Sequence, residues 1–514
     1  MNRRHFLAAG LGSAMAATVT KVRSETETPD GRQPQQEPAG NGAAPDPAAT
    51  KLVVKPVMTN IIHTAEWEGP CRWRSVPVEE EKGHTERSFA AWSKDLAQNG
   101  LGNPDDVQLL PPGHVRFAED FVLRKDDLEQ VARDVGQADA LFIHPSGSSV
   151  AAFQLGEQFD KPIILRGLNC RVVDIAAYTR SKGREAFVAA DSAEMARMLS
   201  LLRARKVFRQ TRVLFPTDRG LPASCSVGSI WCLDGLKEKL GVEVELITYK
   251  ELAAEMDRLA ADADAAQAAE QAADELMRQA DRSFLDRKYV ACSFRFHQAV
   301  EILMARHGCN AFTIECFELC SSRLAEKWTI TPCLVHALMQ NGRRASSCEG
   351  DLGLLLAIRM LMSVSGKSCH QGNSDPRTAD AFRINHSAPS MKMAGFDQPD
   401  MRFQLGRFVQ SGWGTKVVVD FMDHPERTVT VARVDPMAEK LLVLRGTLIG
   451  ASGWDEDLIG CSVEAVIRPP EGRADEFLRK RLEFGNHLPW VYGDCTEALC
   501  ELARMLKLEV DLIA

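Results

Sequence analysis

From residue 51 to about 350, short apolar runs alternate with amphipathic stretches. KLVVKPVM (51–58), ALFIHP (140–145), PIILRG (162–167), RVLFP (212–216), VEVELITY (242–249) and AFTIE (311–315) read as strands. Residues 126–135, 149–158, 192–208, the neighbourhood of 229–240 and 286–306 read as helices between them. Strands that are apolar on both faces, each followed by a helix, predict parallel sheets covered on both sides. Residues 252–281 are almost all Ala, Glu, Asp, Gln, Arg, Leu and Met, which predicts one long solvated helix on propensity.

After about residue 380 the period changes. FQLGRF, TKVVVDF, RTVTVARV, KLLVLRGTLIG and CSVEAVIRP are β-rich runs separated by Gly, Pro or Asp, the pattern of an antiparallel barrel or sandwich. A helix near 473–482, a loop FGNHLPWVYGD, a helix over 494–506 and a strand LEVDLIA close the chain. The expected fold class is α/β. Two Rossmann-like parallel α/β domains (51–180 and 181–365) precede an antiparallel β-barrel-like C-terminal domain (366–514).

The N-terminus has its own chemistry. Arg3 and Arg4 precede an apolar run from Phe6 to Val19, with small residues around Ala14 to Ala17. This predicts a secretory signal over 1–22, and the Arg-Arg-x-Phe-Leu pattern is similar to a twin-arginine signal. The expected location is therefore exported, periplasmic. Residues 23–50, rich in Pro, Gln, Gly and Ala, predict a disordered linker.

A net charge of −8 argues against nucleic acid as a partner. No later apolar run is long enough to span a bilayer. No GxGxxG or Walker A sequence is present, so a nucleotide site is not expected. The 14 cysteines include no CxxC pair and no finger spacing. Most sit in apolar surroundings, such as Cys292, Cys309 and Cys333, and read as buried free thiols.

Three segments carry candidate chemistry. Glu315 ends an apolar strand. Glu349 and Asp351 flank Gly350 ahead of the apolar helix Leu352 to Met362; taken alone, two acids there serve equally well as a helix start. His487 lies in GNHLPWVYGD, where a lone histidine is more often a surface residue than a ligand, and His386 lies at a strand end. Together, carboxylates and imidazoles with open positions suit a hard divalent ion. Zinc would be favoured by cysteines at fixed spacing, which are absent.

PCLVHALMQNGRRASSCEGDLGLLLAIRMLMSVSG, NHSAPSMKMAGF and GNHLPWVYGDCTEALCELARMLKLEV, in that order, resemble segments of the L-fucose and L-arabinose isomerase superfamily. The resemblance covers roughly residues 286–514; before that it is one of architecture. It implies a small-molecule sugar substrate, aldose–ketose isomerisation through an enediol, and a homo-oligomer, commonly a hexamer. It implies a metal site of Glu315, Glu349, Asp351, His386 and His487 holding Mn²⁺, or another divalent cation such as Mg²⁺ or Co²⁺. Glu315, Asp351 and Glu349 would be the catalytic acids and bases, with Glu326 competing with Glu315 for its place. Gln371, Asn373, Trp490 and Tyr492 are the expected substrate contacts, the two aromatics equally readable as core. One departure stands out. Gln371 and Asn373 occupy the region where the arabinose-type enzymes carry a second glutamate, and an amide cannot serve as a general base. The alternative is an exported carbohydrate-binding relative that keeps the fold without the reaction. A hydrolase of sugar derivatives is disfavoured, since no GxSxG or zinc motif is present.

Overall fold

The computed structural model describes residues 43–514 other than 71 and 148; the expected signal and most of the linker lie outside the described residues. The first apolar runs form a parallel sheet: β1 (Leu52–Ile61), β2 (Val107–Leu109), β3 (Gly113–Phe117), β4 (Ala140–Pro145), β5 (Ile163–Arg166) and β6 (Ala186–Ala189). Their order is β2-β1-β4-β5-β6, with β3 continuing the β2 edge along β1. β1 is buried along almost its whole length, because helices cover both faces.

A second parallel sheet holds β7 (Arg212–Pro216), β8 (Glu243–Ile247), β10 (Ala311–Ile314) and β11 (Ser346–Cys348), in the order β11-β10-β7-β8. Between them, β9 (Arg282–Ser283) leaves this sheet and pairs with β14 (Phe403–Arg407) and, through it, β15 (Thr415–Val419). The antiparallel part contains β12 (His370–Thr378), β13 (Ala381–His386), β16 (Thr428–Val434), β17 (Lys440–Ser452), β18 (Val463–Arg468), β19 (His487–Tyr492) and β20 (Glu509–Ile513). Its order is β16-β19-β12-β13-β18-β17-β20, and β16 also pairs with β17. Only β20 joins in parallel, along β17. The chain is thus mixed α/β, with parallel sheets and a separate antiparallel sheet towards the C-terminus.

Several expectations need correcting. Residues 43–50 are not a disordered linker. Arg203 donates to the carbonyls of Pro47, Ala48 and Thr50, and Asn310 Nδ2 donates to Pro45, so order starts before Lys51. The stretch 252–281 is two helices, Tyr249–Ala261 and Ala263–Gln279, because Asp262 turns its carboxylate onto the Asp264 and Ala265 amides and caps a new start. The expected loop FGNHLPWVYGD contains a six-residue strand, β19. β6 lies past the expected boundary at 180 and belongs to the first sheet.

The helix Leu352–Ser365 is buried at every residue from Leu352 to Met362. A helix apolar all round belongs in a core, and this one packs between β16 and β19 on one side and the helices Ser192–Arg209 and Thr496–Met505 on others. Among the described residues no helix is long and apolar enough to cross a membrane.

Candidate metal centre

The strands of the second sheet aim their C-terminal ends at one place. β10 ends into Glu315, β11 into Cys348-Glu349-Gly350-Asp351, and β7 into the loop over 217–229. Beyond the carboxyl ends of parallel strands is where open α/β sheets hold ligands. Gln371 stitches the antiparallel sheet to this edge: its Oε1 accepts from the Cys348 amide at 3.1 Å and its Nε2 donates to the Ser346 carbonyl at 3.0 Å. That seam brings the end of β13 (His386) and the start of β19 (His487) to Glu349.

Glu349 stands at the centre. Its Oε1 is 3.4 Å from His386 Nε2 and its Oε2 is 3.4 Å from His487 Nε2. Ligand atoms of Glu349, His386 and His487 all lie within 4.8 Å of one another. Glu349 has φ 60° and Gly350 φ 68°. Two consecutive left-handed residues, one with a side chain, are costly and persist where surroundings enforce them. At Gly350 a Cβ would meet the Phe215 ring at 2.7 Å, so only glycine fits.

Asp351 sits one layer back. Its Oδ2 is 3.1 Å from His487 Nδ1. Its Oδ1 accepts from the Leu354 amide at 3.0 Å, capping the buried helix, and pairs with Arg433 Nη1 at 2.8 Å. Arg433 is itself fully buried and also donates to the carbonyls of Phe484 and Gly228. The carboxylate therefore fixes the His487 ring so that Nε2 faces Glu349, the arrangement that orients metal-ligating histidines.

Burial pushes the Glu349 carboxyl up, but the hydrogen bond to His386 and the charges of His487 and His386 outweigh it and hold it below the usual range. Burial also opposes ionisation of Asp351, and the Arg433 charge with the His487 bond more than offsets it. Burial pulls His386 down, yet the Cys461 sulfur at 3.8 Å from Nδ1, together with Glu349, holds the imidazole well above its ordinary value. The site thus stores negative charge beside two imidazoles.

No protein-family model matches the chain, and no curated protein matches its sequence. His487 Nε2 is buried and has no hydrogen-bond partner, although it points at a carboxylate. Ligands of a first-row cation at about 2.0–2.2 Å stand roughly 3.0–3.5 Å apart; each imidazole is 3.4 Å from one Glu349 oxygen, and the three-ligand set lies within 4.8 Å. Two imidazoles and one carboxylate with further positions open fit a divalent transition ion. The Glu349 side chain is 12% exposed, against 3% or less for His386, His487 and Asp351, so it is the group a small molecule can reach.

The other expected site residues fall differently. Glu315 is not in the three-residue cluster: its carboxylate caps the helix Cys316–Ser321 through the Phe317 and Glu318 amides and accepts from Ser224 Oγ at 3.1 Å. Glu326, its competitor, is exposed and pairs with Arg323. Asp351 has both oxygens engaged, so its place is behind His487. Gln371 is fully buried with both ends of its amide held by β11, which removes it from substrate contact. Asn373 lies directly across from His487 in the β12–β19 register and accepts from Asn486. Trp490 and Tyr492 are 0% and 1% exposed and do not wall a pocket. Their period on β19 turns them to the face opposite His487, against Phe421 and His370.

Sequence reasoning missed Arg433, the serines of SCSVGS (224–229) and the thiols around the site. Ser226 Oγ is 3.3 Å from His487 Nδ1, and Ser229 Oγ donates to the Gly350 carbonyl while accepting from the Leu352 amide. The available signal was a Ser/Cys-rich run in the loop that follows a parallel strand. The thirteen described cysteines are all free, but only Cys333, Cys348, Cys369 and Cys500 are buried.

Proposed function

We propose that the protein is a metal-dependent aldose–ketose isomerase of the L-fucose/L-arabinose isomerase kind, with Glu349, His386 and His487 holding a divalent ion such as Mn²⁺, Mg²⁺ or Co²⁺. The observation that carries this reading is the convergence of those three side chains, from separate elements of two sheets, with Asp351 orienting one imidazole. Bound there, the cation supplies Lewis-acid polarisation of the sugar's carbonyl and its neighbouring hydroxyl.

The chain's own residues supply the proton transfer. Glu349 is held ionised by its imidazole neighbours, so it can take the proton from the carbon beside the carbonyl and return it to the adjacent carbon, through an enediol. Asp351 keeps His487 in one tautomer, and Arg433 balances the buried charge of Asp351. Glu315 and Ser224 form the floor between β10 and the loop after β7. Two Rossmann-like layers with a barrel-like third part belong to this reading; β16 pairing with both β19 and β17 favours the latter. Export to the periplasm and a homo-oligomer are further parts of this reading.

The test is purified protein with Mn²⁺, Mg²⁺ or Co²⁺ and a panel of L- and D-aldoses, assayed for ketose. Absence of product from folded, metal-loaded protein removes the catalytic claim. One observation favours a second reading, a carbohydrate-binding protein without turnover. Gln371, Glu315 and Asp351 are all fully engaged in the fold, leaving Glu349 as the single carboxylate able to act. Heat of sugar binding without ketose would select that alternative.

A further inference from the structure

A second set of ligands meets at the same carboxylate. The Cys316 thiol, the Cys348 thiol and a Glu349 oxygen lie within 4.8 Å of one another. Cys316 follows β10 by two residues and Cys348 ends β11, and the two strands run side by side with Ile314 opposite Cys348. Cys225 lies on the loop after β7, next to Ser224, whose hydroxyl donates to Glu315 at 3.1 Å. Two adjacent parallel strands thus each send a cysteine to the place where their C-terminal ends converge.

We propose that Cys316, Cys348 and Glu349 form a second, thiophilic cation site, suited to Zn²⁺, that shares Glu349 with the imidazole pair. Two sulfurs and one carboxylate oxygen are a three-ligand zinc set with a fourth position open. Tetrahedral zinc, with sulfur at about 2.3 Å and oxygen at about 2.0–2.2 Å, spaces its ligands roughly 3.3–3.8 Å apart, so the side chains need contract by no more than about 1.5 Å. Binding replaces the two thiol protons, which leave to solvent, with one divalent charge. Thiolate and carboxylate together select a softer ion than the His386–His487 side does. Since both Glu349 oxygens face imidazoles, an ion on the sulfur side draws one of them away, and the two positions bind cations antagonistically. This inference rests on the placement of the thiols, not on the isomerase reading.

Co²⁺ as an optical stand-in for Zn²⁺ separates the two. Full-length protein titrated with Co²⁺ in the absence of sugar should develop near-ultraviolet thiolate-to-cobalt charge transfer. The band should disappear in Cys316→Ser and in Cys348→Ser and persist in the His386→Ala/His487→Ala double variant, with circular dichroism checking the fold of each. Should Cys348→Ser fail to fold, the half-buried Cys316→Ser decides. No band in the wild-type protein, a band indifferent to the cysteine substitutions, or one lost with the histidines would each overturn the proposal. None of these outcomes bears on ketose formation with Mn²⁺, which is measured separately.

Discussion

Replacing Arg433 with methionine isolates the electrostatics behind the centre. The guanidinium is fully buried, pairs with the Asp351 carboxylate at 2.8 Å, and donates to two carbonyls. Methionine keeps much of the volume but leaves Asp351, 1% exposed, as a buried charge without its cation, held by the His487 ring and the Leu354 amide alone. Breaking a buried pair by removing one partner costs about 3–5 kcal/mol. With a urea m-value near 3 kcal/mol/M, the midpoint should fall by roughly 1–1.7 M at pH 7. Adding Asp351→Asn removes the orphaned charge, so the double variant should recover at least about 2 kcal/mol relative to additivity.

The pH dependence has a definite sign. The folded Asp351 carboxyl is depressed, so its contribution is present above the unfolded value near about 3.9 and fades as pH falls through the folded one. Without Arg433 that depression shrinks to what His487 supplies, so the deficit of the variant should open as pH rises towards about 3.9 and stay level from there to pH 7. A loss under about 1 kcal/mol, or a double variant less stable than the sum of the singles, would refute the assignment of Arg433 as the counter-charge.

Three further outcomes follow from the same geometry. Asp351→Asn should weaken Mn²⁺ binding about 10–100-fold by freeing the His487 ring, whereas Glu315→Gln should leave it unchanged; equal effects in calorimetry would contradict the layering of the two acids. Mn²⁺ binding should release protons, because His386 is held protonated by Cys461 and Glu349, so affinity should rise with pH; binding heats identical in buffers of different ionisation enthalpy would exclude it. Burial pulls His336 and His370 down to about 3. The unfolded chain therefore binds more protons between about pH 6.5 and 3, stability falls across that window as pH drops, and His370→Phe should lower the acid unfolding midpoint.

Much of the parallel architecture was readable because strands apolar on both faces have few other uses. The Glu349-Gly350-Asp351 turn and His487 were readable as candidates, but their division of labour was not. Whether Asp351 touches a metal or a histidine depends on Arg433, some 80 residues away, and no local pattern encodes that partner. Trp490 and Tyr492 were readable as substrate contacts or as core, and reading the segment as a loop left that choice open. Once it is a strand, alternation separates them from His487. Gln371 looked like a lost catalytic residue; its amide is instead matched to a backbone edge that exists only after two sheets meet.

The carboxylate of Asp351 joins two things that proteins usually keep apart. One oxygen anchors the first turn of a helix buried from Leu352 to Met362, and the other steers an imidazole of the centre. Any repacking that slides Leu352–Ser365 along its axis is therefore delivered to His487 through a single rigid joint. Core substitutions as remote as Met360 or Leu361 should change the angle at which that ring presents its nitrogen. The hydrophobic interior and the centre's geometry cannot be altered independently.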